Sequence, residues 1–276
     1  MRCSLLPLLV ALKLLLLPDQ TNTQEVHLED YKYGHPENNE FCSWRCLHFT
    51  LQWPAGFCLS LDTPPLCQIP QTVNDWTIHG LWPLWAEGRC DCWPMFQSDV
   101  EELEAQLEEH WPSFLKTKSS FQFWRAEWQK HGACAACVEG MNSPLRYFQI
   151  SLKLRQKFDI QKLLEDAGIT PSCDRPYKVR EVHQVLAPHL GDKHEIQCVQ
   201  MEDKEAWFQV KVLLSRNLTI GCDHPGDAAG APEPGSGPTW RPSHGHPCPP
   251  DVPFYYLPID HQQPLQPCSC CSPINN

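Results

Sequence analysis

Sixteen cysteines stand in this chain of 276 residues, and a hydrophobic N-terminus says in which compartment they mature. Arg2 supplies a positive start, and Leu5 to Leu17 is a leucine-rich run interrupted only by Pro7 and Lys13. A bilayer needs about 20 apolar residues, so this run is too short to span one, and residues 1–23 read as a secretory signal peptide. Cys3 leaves with the peptide, and fifteen of the sixteen cysteines remain in the mature chain, 24–276. In a secretory compartment these form a disulfide framework, and the odd number leaves at least one free or intermolecular thiol. Cys58 and Cys67 enclose a proline-containing loop of a size that one bridge can staple. Asn217-Leu218-Thr219 is the one N-glycosylation sequon. No later stretch approaches a membrane span, so no membrane anchor is expected.

Charge narrows the partners. The formal net charge is −11, and removal of Arg2, Lys13 and Asp19 (net +1) takes the mature chain to −12. Bulk attraction to DNA or to an acidic membrane is excluded by that balance. A nucleic-acid substrate would have to be held locally, in one basic cleft.

The spacing of apolar residues predicts a mixed fold. Strands are expected over 47–53, 76–81, 196–199 and 206–214, with 252–257 returning as an edge strand. Helices are expected over 98–110, capped by Ser98 with Glu101 as its partner, over 119–134, stopped at Gly132, and over 145–164, broken near Asp159. Residues 223–250 are rich in proline and glycine without periodicity and read as a long loop, followed by an irregular C-terminal tail. With no internal repeat, the expectation is a single α+β domain.

Chemistry concentrates in Phe123-Trp124-Arg125-Ala126-Glu127-Trp128-Gln129-Lys130-His131-Gly132. On a helix Glu127, Lys130 and His131 stand at i, i+3 and i+4 and share a face, where they can grip one anionic group. Thr77-Ile78-His79-Gly80-Leu81-Trp82-Pro83 holds a second histidine. Two imidazoles can supply the base and the acid of one reaction, because their unperturbed pKa lies near neutrality. A metal held by Glu127 and His131 is disfavoured: zinc wants three or four ligands, and Lys130 would repel it. Cys134-Ala135-Ala136-Cys137 invites a redox or zinc reading, but no second CxxC accompanies it and structural cysteines are the simpler reading. Trp124 and Trp128 are assigned to packing, Trp82 and Phe123 to base stacking.

The two segments resemble the two signature segments of the ribonuclease T2 family, secreted and lysosomal acid endoribonucleases. Gln52-Trp53-Pro54 and Ile196-Gln197-Cys198 also look like family strands, so the likeness runs over roughly 47–257. It implies an antiparallel sheet flanked by helices, stapled by Cys58–Cys67, Cys90 (or Cys92) to Cys134, and Cys198–Cys248. It implies His131 as base and His79 as acid, with Glu127 and Lys130 stabilising the transition state. The expected substrate is single-stranded RNA, cut through its own 2′-OH to a 2′,3′-cyclic phosphate with broad base tolerance. No metal or other cofactor is needed, DNA is inert, and the protein is expected to be a monomer, secreted or lysosomal.

Three residues depart from the family pattern. Ala126 replaces a histidine thought to hold phosphate, which implies weaker substrate binding, with Arg125 adjacent but off the face. Leu84 replaces an aspartate implicated in base reading. Leu213 stands where a cysteine often partners the position of Cys222, so Cys222 must pair elsewhere. These departures motivate a rival reading, a secreted binding or signalling protein with the fold and little turnover.

Overall fold

A computed structural model describes residues 42–61, 66–84, 86, 90, 93–201, 204–223 and 245–268. The leader, most of the proline-rich loop, and Cys92, Cys270 and Cys271 lie outside the described residues.

In chain order the elements are β1 (Cys46–Gln52), α1 (Pro54–Leu59), β2 (Thr77–Pro83), α2 (Glu104–His110), α3 (Ser120–Glu127), α4 (Pro144–Lys157), α5 (Ile160–Asp166), β3 (Pro176–Tyr177), α6 (Val179–Leu190), β4 (Glu195–Met201), β5 (Lys204–Ser215), β6 (His246–Pro247) and β7 (Phe254–Tyr255). The fold is α+β, and its strands form one sheet in the order β2-β1-β5-β4-β6. β1 is buried at every position. Its alternation puts Leu47, Phe49 and Leu51 in the helix-covered core and His48, Thr50 and Gln52 on the other face. Phe49 meets Phe158 beyond the end of α4 at 6.1 Å. Trp53, Trp76, Trp207 and Tyr256 make a second knot of rings, joined by a hydrogen bond from Trp76 Nε1 to the Tyr256 hydroxyl (3.0 Å). Such rings bury large areas while their polar ends find partners.

β2 is an edge strand, and its outward carbonyls are covered by side chains instead of another strand. Trp111 Nε1 donates to the His79 carbonyl (3.1 Å) and the Tyr147 hydroxyl donates to the Leu81 carbonyl (2.8 Å). Both satisfy buried backbone groups and close the edge to further pairing.

Several local expectations need correction. The sheet is not wholly antiparallel, because β7 pairs parallel with β5 at Glu205–Phe254 and Ala206–Tyr255. Of 252–257 only two residues enter the sheet, and the end of the proline-rich stretch is a strand, β6, pinned beside the Cys198–Cys248 bridge. Segment 98–110 starts as two 3-10 turns, with the Asp99 carboxylate accepting from the Phe96 N–H (2.7 Å) where Ser98 was expected to cap. Ser119 does cap α3, accepting from the Gln122 N–H while the Gln122 side chain accepts from the Ser119 N–H. Gly132 does not stop that helix, which continues through a π-helical turn, Trp128–Gly132, into Ala133–Ala135. The Asp159 break is real, and its carboxylate caps α5. Helix α6 went unread, although Val182, Leu186 and Leu190 form its buried stripe.

Six disulfides join described residues: Cys42–Cys137, Cys46–Cys222, Cys58–Cys67, Cys90–Cys134, Cys173–Cys268 and Cys198–Cys248. The two cysteines of the CxxC thus belong to different bridges, and Cys222 closes onto the start of β1.

Candidate active site

His79 owes its position to a register error. Thr50 pairs with Gly80 and Leu51 with Ile78, so His79 is the extra residue of a β-bulge in β2. Bulges re-aim a side chain at the cost of one ladder position. Gly80 follows because a Cβ there would lie 2.0 Å from Trp82 Nε1 and 2.5 Å from Glu127 Oε2. A second bulge, in the β4–β5 pairing, places Gln197 opposite Gln209 and Cys198 opposite Trp207, skipping Phe208. Phe208 and Gln209 consequently both reach His79: the Phe208 ring lies 6.5 Å from the imidazole, and the Gln209 side-chain amide hydrogen-bonds His79 Nδ1. Phe57 (6.5 Å) and Phe123 (6.1 Å) complete the aromatic surround.

Glu127 and His131 come from the other side, from the end of α3 and from the π turn. The wider turn departs from the regular helical face read from sequence, and single π turns of this kind are frequent at functional sites. Trp82 stands between the two histidines, its ring 5.1 Å from His79 and 5.4 Å from His131. Its indole N–H donates to Glu127 Oε2 at 2.8 Å. Trp82 therefore orients the carboxyl as well as offering a half-exposed ring. Lys130 is exposed at the rim. Trp124 and Trp128 are buried, donating their N–H groups to the carbonyls of Trp111 (2.7 Å) and Trp93 (3.0 Å).

Burial dominates the electrostatics of the site. Burial and the charges of Lys130, Lys211 and Lys118 push His79 down to about 3. Burial, Lys130 and His79 hold His131 well below the usual imidazole range. Burial drives the Glu127 carboxyl up to about 7, against the opposing pull of the Trp82 hydrogen bond, Lys130 and Lys118. Removal from water disfavours the charged form of all three groups, which leaves two neutral imidazoles beside a carboxyl that keeps its proton near neutrality. Among the described residues no three His, Cys, Asp or Glu side chains cluster to hold a metal ion.

Residues 44–222 match the ribonuclease T2 family. The chain belongs to that family. Ribonuclease T2 of Danio rerio is 30% identical over 239 residues, covering 85% of this chain and 94% of the relative. Human ribonuclease T2 is 32% identical over 190 residues, covering 67% and 72%. The crystal structure of human RNase T2 superposes with a TM-score of 0.61 at 27% identity, over 78% of this chain and 99% of that one. A ribonuclease-like storage protein of Panax ginseng is 31% identical over 209 residues, 74% of this chain and 84% of the relative. Family and fold make this ribonuclease T2 protein an endoribonuclease.

The structure brings His79, Trp82, Phe123, Glu127 and His131 together, with Lys130 at the edge. Arg125 is not among them: it is exposed, its guanidinium 5.9 Å from the Phe121 ring. Sequence reading missed Trp111, Gln209, Lys118 and Lys211. Gln209 and Lys211 carried a usable signal, two alternate polar residues inside an otherwise apolar strand. Trp111 and Lys118 carried none. Asn217 is exposed in the turn after β5, where the Thr219 and Ser215 hydroxyls hydrogen-bond each other.

Proposed function

We propose that this ribonuclease cleaves single-stranded RNA without a metal, by attack of the ribose 2′-oxygen on the adjacent phosphate. The observation that carries the reading is the pair of imidazoles set on either side of Trp82, whose N–H orients Glu127. His131 takes the 2′-OH proton as the 2′-oxygen bonds to phosphorus. His79, protonated once phosphate charge offsets its depressed pKa, returns a proton to the departing 5′-oxygen. Lys130 and the protonated Glu127 carboxyl stabilise the non-bridging oxygens as negative charge accumulates. The products are a 2′,3′-cyclic phosphate and a 5′-hydroxyl. DNA, lacking the nucleophile, is inert.

Because one histidine must be neutral and the other protonated, and both are held below the normal range, the pH profile of kcat/KM is a bell on the acid side of neutrality. Phe123 and the exposed part of Trp82 offer ring surfaces to the bases, which any base can use, and Leu84 carries no polar atom to select one. The disulfide framework and the exposed sequon support a secreted or lysosomal glycoprotein.

The test is purified protein with RNA and DNA oligonucleotides of one sequence, at pH 4–8 with chelator. Cyclic-phosphate ends from RNA alone are expected, and activity unchanged in His79→Ala or His131→Ala would overturn the mechanism. A second reading, a storage or binding protein with residual turnover, is favoured by Ala126 and by the storage-protein relative. Under that reading Ala126→His would raise kcat/KM by orders of magnitude.

A further inference from the structure

The loop between α2 and α3 carries a lysine that neither signature segment contains. It is held on both sides. The Lys118 N–H donates to the Leu115 carbonyl (3.0 Å), and Lys116 and Leu115 bind the strip next to Cys67 through Lys116 N–H to Leu66 carbonyl (2.8 Å) and a Cys67–Leu115 bridge. Cys67 is itself fixed by Cys58, and Ser119 is locked by the capping box of α3. From this fixed base the half-buried Lys118 side chain reaches over Phe123, its ammonium 5.4 Å from the ring centroid, and that ring is 6.1 Å from His79. Its charge is felt by Glu127 and His79, and its own pKa is lowered by burial. Lys116, two residues away, is exposed and contributes to neither group's shift. Position 126 has no polar atom and Arg125 turns outward, so the positive charge felt at His79 comes from Lys130, Lys211 and Lys118, and of these Lys118 is the one that stands over the Phe123 ring.

We propose that Lys118 binds substrate phosphate, its ammonium moving from the Phe123 ring to a non-bridging oxygen of the RNA backbone while a base takes the ring face. A charge-assisted contact with phosphate is stronger than a cation–π contact near the surface. It also explains how a chain of net charge −11 holds a polyanion. The inference rests on the cleft being an RNA site, but not on turnover.

The experiment pairs kinetics on single-stranded RNA with salt titrations of binding to the uncleavable 2′-deoxy oligonucleotide, for wild type, Lys118→Gln, Lys118→Arg and Lys116→Gln. Lys118→Gln should raise KM about 10-fold with a smaller change in kcat. One lost single-strand phosphate contact should make the slope of log affinity against log salt shallower by about 0.7. Lys118→Arg should keep the slope, and Lys116→Gln should leave KM and slope unchanged. An unchanged slope in Lys118→Gln, or an equal loss in Lys116→Gln, overturns the proposal while wild-type cleavage leaves the proposed reaction standing. A wild type that binds with the Lys118-dependent slope and does not cleave supports this site and sinks the reaction. Absence of binding by wild type overturns both. Matching melting temperatures for Lys118→Gln and Lys118→Arg separate binding from a folding defect.

Discussion

Two pairs of histidines in this molecule are set close together in very different company. His79 and His131 flank Trp82 in the cleft, both with lowered pKa. His183 and His194 stack face to face beside the end of α6, centroids 4.6 Å apart and planes 17° off parallel. His194 Nδ1 hydrogen-bonds the Gly191 carbonyl at 2.7 Å, and burial and the neighbouring imidazole lower its pKa. The first pair has a carboxyl that holds a proton, lysine charges and a half-exposed aromatic ring between its members. In the stacked pair His194 has the perturbation without the company. A depressed pKa marks burial; acid, base and cation around one space mark a reaction site.

The largest expected effect breaks or keeps that contrast directly. His79→Ala and His131→Ala should each lower kcat/KM on RNA by about 10²–10⁴-fold. His183→Ala and His194→Ala should change it less than about 2-fold, because changes away from the site act through stability alone. Comparable losses from both pairs would dissolve the distinction.

Glu127 tests whether the cleft carries its perturbation at a cost to stability. Its pKa is raised from 4.5 in the unfolded chain to about 7 in the fold. Its favourable contribution is therefore complete below pH 4.5 and disappears as pH rises through about 7. Glu127→Ala should lose activity by about 10²–10³-fold, as expected for one removed transition-state hydrogen-bond donor. It should also flatten the fall in melting temperature between pH 5 and pH 8, a difference of at most about 3 kcal/mol. For the histidines the sign reverses: the depressed pKa of His79 gives stability that is present above 6.5 and lost as pH falls through about 3.

Ala126→His should improve KM by less than about 10-fold if Lys118 and Lys130 already bind phosphate, since one more such contact adds little to a charged site. A larger gain in kcat favours the storage-protein reading. The smallest effect sharpens the opening comparison. Inorganic phosphate, followed by imidazole NMR resonances, should raise the pKa of His79 and His131 by about 1 unit through the added negative charge. His194, away from the cleft, should not move.

Much of this was legible in the linear chain for a physical reason: the groups proposed to react lie in two short segments whose residue types and order carry the proposed chemistry. His79 with Trp82, and Glu127 with Lys130 and His131, are close in sequence because one strand and one helix end present them. The α+β character followed from apolar periodicity. What tertiary structure decided is everything that depends on contacts between distant segments. Gln209 reaches His79 across 130 positions, and Trp111 grips the His79 carbonyl from 32 positions away. Two bulges aim His79, Phe208 and Gln209, and bulges arise from the fit of one strand to its neighbour, not from either strand alone. Helical periodicity described Glu127, Lys130 and His131 as one regular face, while packing and the Cys90–Cys134 tether surround a π turn there. Trp82 read as a stacking surface, and only its 2.8 Å hydrogen bond to Glu127 makes it an orienting group as well. The local pattern named the residues of the cleft. Long-range pairing set their directions, their burial and so their proton affinities, because desolvation belongs to the folded interior and to no residue by itself.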